Sequence, residues 1–174
     1  MNPPVQPVVD VITSFLVQIG IGVLTRAIEE PTVMPGVSVE YGSIIIDPGK
    51  LTYPGDILHE AGHVATAAVT ARQAMNGKLP QGFDYLGDEI AAQAWSYAAC
   101  VHLGLDPRIV FHAGGYHGQA EGLVRIFSGD NPPGVPLLQW LGMTYDRQNA
   151  KKLNTLAYPG MVSWLNQSDP YESG

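Results

Sequence analysis

Apolar runs and turn signals alternate along this chain in the pattern of a mostly helical domain with one small patch of strand. Residues 8–24 are largely apolar, interrupted by Asp10, Thr13, Ser14 and Gln18, and residues 7–29 read as one amphipathic helix that stops at Glu30-Pro31. Pro35-Gly36 marks a turn. Val37-Ser38-Val39-Glu40-Tyr41 then alternates, and Ser43-Ile44-Ile45-Ile46-Asp47 is rich in β-branched residues. Two short strands joined near Gly42 are predicted there, the second ended by Asp47-Pro48-Gly49.

Helical patterning resumes after Tyr53-Pro54-Gly55-Asp56, which opens a helix closed by Asn76-Gly77. A connector of about ten residues with Lys78, Pro80, Gly82 and Gly87 follows. The next helix runs from about Asp88 to Leu103 and ends at Gly104; its alanines, Ala91, Ala92, Ala94, Ala98 and Ala99, permit close helix contact. Asp106-Pro107 begins a short helix, residues 112–118 read as a Gly-rich loop, and residues 118–128, 136–143 and 146–156 read as further helices. Trp95, Tyr97, Trp140 and Trp164 are expected to be core or half-buried aromatics. No repeat or low-complexity tract appears.

Composition narrows the class. The 174 residues suit a single domain over 1–174, with residues 1–30 packed on it as the N-terminal helix. Apolar residues make up 45% and charged residues 14%, a globular balance. A net charge of −7, with no basic cluster beyond Lys151-Lys152, argues against a nucleic-acid partner. The apolar N-terminal stretch is short and interrupted for a membrane span, and it lacks the charged start of a signal peptide, so neither is expected and the cytoplasm is the default compartment. The single cysteine, Cys100, sits in an apolar run and reads as buried packing. It excludes a disulfide framework and leaves no Cys pair for a structural zinc site.

The chemistry sits in His59-Glu60-Ala61-Gly62-His63, an HExxH signature. On a helix the two histidines, four apart, point imidazoles at one metal, and Glu60 stands beside them to take a proton from an attacking water. From this composition an accidental match is expected about half a per cent of the time. The flanks Ile57, Leu58, Val64, Ala65, Ala68 and Val69 make the helix apolar, and burying two imidazoles and a carboxylate there is costly unless each has a partner. A metal supplies one.

Catalytic zinc takes three protein ligands and keeps a position open. The longer metzincin pattern is excluded, because Thr66 and Val69 stand where it needs glycine and histidine. The candidates for the third ligand are Glu89, Asp88, His112, His117 and Glu121. Glu89 is favoured because it opens the next long helix, with Ala92 one turn on and Gly62 in the motif both small enough for close backbone approach. Gln93 is placed to accept a hydrogen bond from a ligating histidine. A purely helix-stabilising role is the competing reading of Glu89. His112, Tyr116, His117 and Tyr53 are candidates to approach the reacting centre; a purely structural pairing of His117 with Glu121, four residues apart, is the competing reading of those two. The strand around residues 44–47 is a candidate edge for an extended peptide.

HEAGH followed at this distance by Glu89-Ile90-Ala91-Ala92-Gln93-Ala94-Trp95 resembles the gluzincin metallopeptidases, and in particular the small ImmA/IrrE-like proteins, over about residues 37–100. The resemblance implies a minimal zincin of α+β class, mostly helical, with a short antiparallel strand pair beside the active-site helix. It implies a zinc metalloprotease in which His59, His63 and Glu89 hold Zn2+ and Glu60 is the general base acting on a peptide or protein substrate. Many gluzincins carry an aspartate four residues after the ligand glutamate, where this chain has Gln93. The competing functions are a metal-dependent hydrolase of other bonds and a zincin-fold binding module that keeps metal as a scaffold.

Overall fold

Gly20 decides where the first helix ends. The structure is a computed structural model that describes residues 5–76, 85–115 and 119–168. Helix α1 is Val5–Gln18 rather than residues 7–29. Gly20 adopts a φ of 96°, its N–H bonds Val17 and the N–H of Ile21 bonds the carbonyl of Leu16, the paired bonds of a Schellman cap. The released chain forms strand β1, Val23–Thr25, in the stretch that reads as helix from the sequence.

The predicted strand pair is present as β2, Val37–Glu40, and β3, Ser43–Ile46, antiparallel in the register Val37↔Ile46 to Glu40↔Ser43. Tyr41 and Gly42, both at positive φ (50° and 74°), make the two-residue turn between them, the geometry that matches the twist of a tight hairpin. Strand β1 adds parallel to β3, giving the order β1-β3-β2. β3 is therefore central and paired on both sides, not an edge that a peptide could extend. Its three isoleucines are buried.

The motif helix is α2, Gly55–Thr66, and it breaks where the sequence predicts continuity; a separate α3, Val69–Ala74, follows. The break is stabilised from outside. Arg72 donates to the carbonyls of Val64 (2.9 Å), Ala67 (3.1 Å) and Asn166 (2.8 Å), and the Asn166 amide donates to Thr66 (2.9 Å). The last carbonyls of α2 are thus satisfied without another helical turn.

Helix α4, Tyr85–His102, packs across α2 and is capped by Gly104 at φ 67° as predicted. A 3-10 turn at Pro107–Ile109 and helices α5 (Ala120–Phe127), α6 (Val135–Trp140) and α7 (Arg147–Leu153) complete an α+β, mostly helical fold. Trp95 and Phe15 meet Trp164 edge-on, with ring centroids 5.7 and 5.0 Å away, at the centre of the core. Trp140 departs from expectation: it is 83% exposed, on the outer face of α6. Among the described residues no helix is long and apolar enough to cross a membrane.

Two contacts fix how α2 sits. A Cβ on Gly55 would lie 1.9 Å from the carbonyl of Ile109, and one on Gly62 would lie 2.7 Å from the carbonyl of Ala92. Glycine lets backbone come against backbone at both positions, and a Cβ there would force the neighbouring elements apart. The second contact carries α4 close enough to α2 for a short side chain to cross.

Candidate metal centre

Every residue of α2 is buried except Glu60, so the helix presents its polar groups to a protein interior rather than to water. His59 and His63 are 4% and 8% exposed, one turn apart, with rings nearly perpendicular at 83° and centroids 4.9 Å apart. Their Nε2 atoms approach to 3.2 Å. From the first turns of α4, Oε2 of Glu89 lies 3.5 Å from Nε2 of His59 and 3.4 Å from Nε2 of His63. The three donors form an almost equilateral triangle. Donors about 2.0–2.1 Å from a tetrahedral zinc lie about 3.3–3.4 Å from one another, so the triangle has the size such an ion needs.

The other residues named from the sequence fall in different places. Asp88, also a candidate ligand, points instead at the far side of the His63 ring: its Oδ2 is 2.5 Å from Nδ1 of His63. Gln93 does not reach a histidine; its amide donates to Oε1 of Glu89 at 2.8 Å. Glu121 is on the surface, accepting from Arg108 at 2.6 and 3.1 Å, far from any role in the triangle. Tyr116 and His117 lie outside the described residues.

His112 joins a second cluster at the N-terminal end of α2. Its Nε2 is 2.8 Å from Oδ1 of Asp56, and its ring stacks on Tyr53 with centroids 3.7 Å apart. The glycines after it are needed for that packing, since a Cβ on Gly114 would lie 2.4 Å from the Tyr53 hydroxyl. Asp56 is one turn before Glu60 and is buried in the structure, so it needs a partner there. Which residue supplies it, 56 positions away, was not readable.

The electrostatics follow from burial and proximity. Burial pushes the Glu60 carboxyl up; the neighbouring histidines pull it down, and Asp56 and Glu89 add to the rise. Burial would lower His63, but the hydrogen bonds of Asp88 and Glu89 override it and push His63 up to about 10 in the metal-free chain. Burial would raise Glu89, yet the hydrogen bonds of His59, His63 and Gln93 hold it well below the usual carboxylate range. The raised His63 and the lowered Glu89 share one proton between ring and carboxylate, and a metal ion would compete with that proton for the same atoms. Cys100 is buried, with its thiol against the carbonyls of Leu105 and Asp106.

Comparison with protein-family models, with curated proteins and with solved structures gives no match for this chain.

Proposed function

We propose that this chain is a zinc-dependent hydrolase of the gluzincin type that cleaves a peptide bond, with His59, His63 and Glu89 as metal ligands and Glu60 as general base. The observation that carries the reading is the donor triangle, with edges of 3.2, 3.4 and 3.5 Å drawn from two helices. When bound, the ion supplies Lewis acidity toward a substrate carbonyl and a nearby water.

The chain's own residues do the rest. His59 and His63 offer Nε2 atoms from one face of α2, able to donate to an ion once the rings are deprotonated, and Glu89 offers a single carboxylate oxygen from α4. Glu60 is the one residue of α2 that is not buried, so a water can meet its carboxyl without displacing the helix. Its raised proton affinity suits the task of taking a proton from that water and handing it to the departing amine. The cytoplasm, the compartment expected from the sequence, belongs to the same proposal.

Metal content and turnover test it together. Purified wild type is expected to retain about one zinc per chain, and His59→Ala and Glu89→Gln to lose it. Glu60→Gln is expected to keep zinc while peptide cleavage falls about 10²- to 10⁴-fold, the range of a lost general base. Equal inertness of wild type and Glu60→Gln toward peptide libraries, with zinc retained by both, would instead favour a metal-holding scaffold.

A further inference from the structure

We propose that Asp88 and Gln93 are positioning residues of the metal centre, Asp88 fixing the ring of His63 and Gln93 selecting the oxygen that Glu89 presents; the inference rests on the ligand set above. Consecutive residues on a helix point about 100° apart, so Asp88 and Glu89 cannot approach the same atom from the same side. The structure divides them. Glu89 faces Nε2 of both histidines, and Asp88 faces the opposite ring nitrogen of His63 at 2.5 Å, with the two side chains 5% and 10% exposed.

That contact fixes a tautomer. A carboxylate oxygen facing the ring accepts, so Nδ1 of His63 carries a hydrogen, and in the neutral ring Nε2 is left with its lone pair toward the triangle. The charge behind the ring also makes the imidazole a better donor. Asp88 is buried and its oxygen is committed to the ring, so the ring cannot turn without stranding a buried charge.

Gln93 acts on the other side. Its amide occupies Oε1 of Glu89 at 2.8 Å, which leaves Oε2 as the oxygen 3.4–3.5 Å from both histidines. A carboxylate held this way binds through one atom and leaves a coordination position for water. Both positioning side chains come from α4, and α4 is locked to α2 by the backbone contact at Gly62 and by Ser96, whose hydroxyl bonds the carbonyls of Leu58 (3.0 Å) and Ala92 (2.6 Å).

The test uses the full-length chain and measures the zinc dissociation constant by competition with a chromogenic chelator. Wild type, His59→Ala, Asp88→Ala, Asp88→Asn and Gln93→Ala are compared. Thermal midpoints are recorded with excess chelator and with excess zinc. Loss of an outer partner of this kind costs about 10- to 100-fold in affinity. Asp88→Ala is expected in that range, with Asp88→Asn weakened less because its amide oxygen still accepts from Nδ1. Each Asp88 variant should gain less thermal stability from zinc than wild type does.

A merely structural Asp88 would lower both midpoints equally and leave the dissociation constant at the wild-type value, which would overturn the inference. The visible spectrum of the Co2+-loaded protein reads the other half: it should change in Gln93→Ala, and an unchanged spectrum there overturns the role of Gln93. Asp88→Asn, nearly the same shape as the native residue, decides the matter if Asp88→Ala does not fold. Failure of the underlying ligand reading looks different, because then wild type does not bind zinc or His59→Ala binds it as well as wild type does.

Discussion

Adding one methyl group at Gly62 should weaken metal binding through helix spacing alone. A Cβ there would sit 2.7 Å from the carbonyl of Ala92, 3.0 Å from the Ser96 hydroxyl and 3.1 Å from the Ala92 Cα, against the 3.4 Å at which ordinary contact begins. Two of those atoms are backbone, so α2 and α4 must separate by about 0.7 Å rather than a side chain swinging away. Of the three edges of the donor triangle, the one between His59 and His63 lies within α2 and is untouched. The two edges to Glu89 cross the gap and would open from 3.5 and 3.4 Å toward about 4 Å, beyond what a tetrahedral zinc spans. Overpacking of this size costs about 1–3 kcal/mol, while replacing glycine by alanine inside a helix returns about 1 kcal/mol. Net destabilisation of Gly62→Ala should therefore be small, about 0–2 kcal/mol, and zinc affinity should fall about 10-fold. Urea unfolding with chelator gives the first quantity and chelator competition the second. A variant that binds zinc as wild type does would refute the claim that this backbone contact sets the site.

Further outcomes follow from the same structure. Arg72→Met removes the donor to the last carbonyls of α2 and should lower stability by about 2–3 kcal/mol in urea unfolding, since hydrogen bonds from a charged group are among the stronger ones; a loss below 0.5 kcal/mol contradicts the capping role. The metal-free chain should lose stability as pH rises. His63, raised from 6.5 to about 10 on folding, contributes fully below pH 6.5 and progressively less toward pH 10, and Glu60, whose carboxyl is raised by burial, works in the same direction. Thermal midpoints in chelator should therefore fall between pH 6.5 and 10, and zinc, which needs the neutral imidazole, should reduce that fall; a flat profile in chelator opposes the assignment. Cys100, its thiol pushed up to about 12 by burial and by Asp106, should resist alkylation at pH 8 in the native chain and react readily in denaturant.

What the sequence made legible was whatever local pattern decides. The HExxH helix, the hairpin at Tyr41-Gly42 and the glycine cap at Gly104 depend on residues within one or two turns, and the structure has each of them. The departures are set by distant partners. Thr66-Ala67-Ala68 contains no helix breaker, and α2 ends there because Arg72 and Asn166 take its carbonyls. Gly20 inside a run of valine and isoleucine reads as a tolerated helical glycine, yet its left-handed backbone lets β1 turn back beside β3. With β1 misread as helix, β3 looked like an edge. At the candidate metal centre, the spacing pointed to Glu89, which lies beside His59 and His63, but not to the opposite placement of Asp88 and Glu89 around His63, which depends on the phase of α4 against α2. The contact between His112 and Asp56 spans 56 positions and leaves no local trace.

Three side chains from two helices are proposed to close on one ion, and X-ray diffraction from zinc-loaded crystals at the zinc absorption edge would locate that ion. One anomalous peak is expected about 2.0–2.2 Å from Nε2 of His59, Nε2 of His63 and Oε2 of Glu89, with a coordination position left to solvent. A peak elsewhere on the chain, or a peak that touches the histidines while Glu89 stays more than 3 Å away, would contradict the proposal.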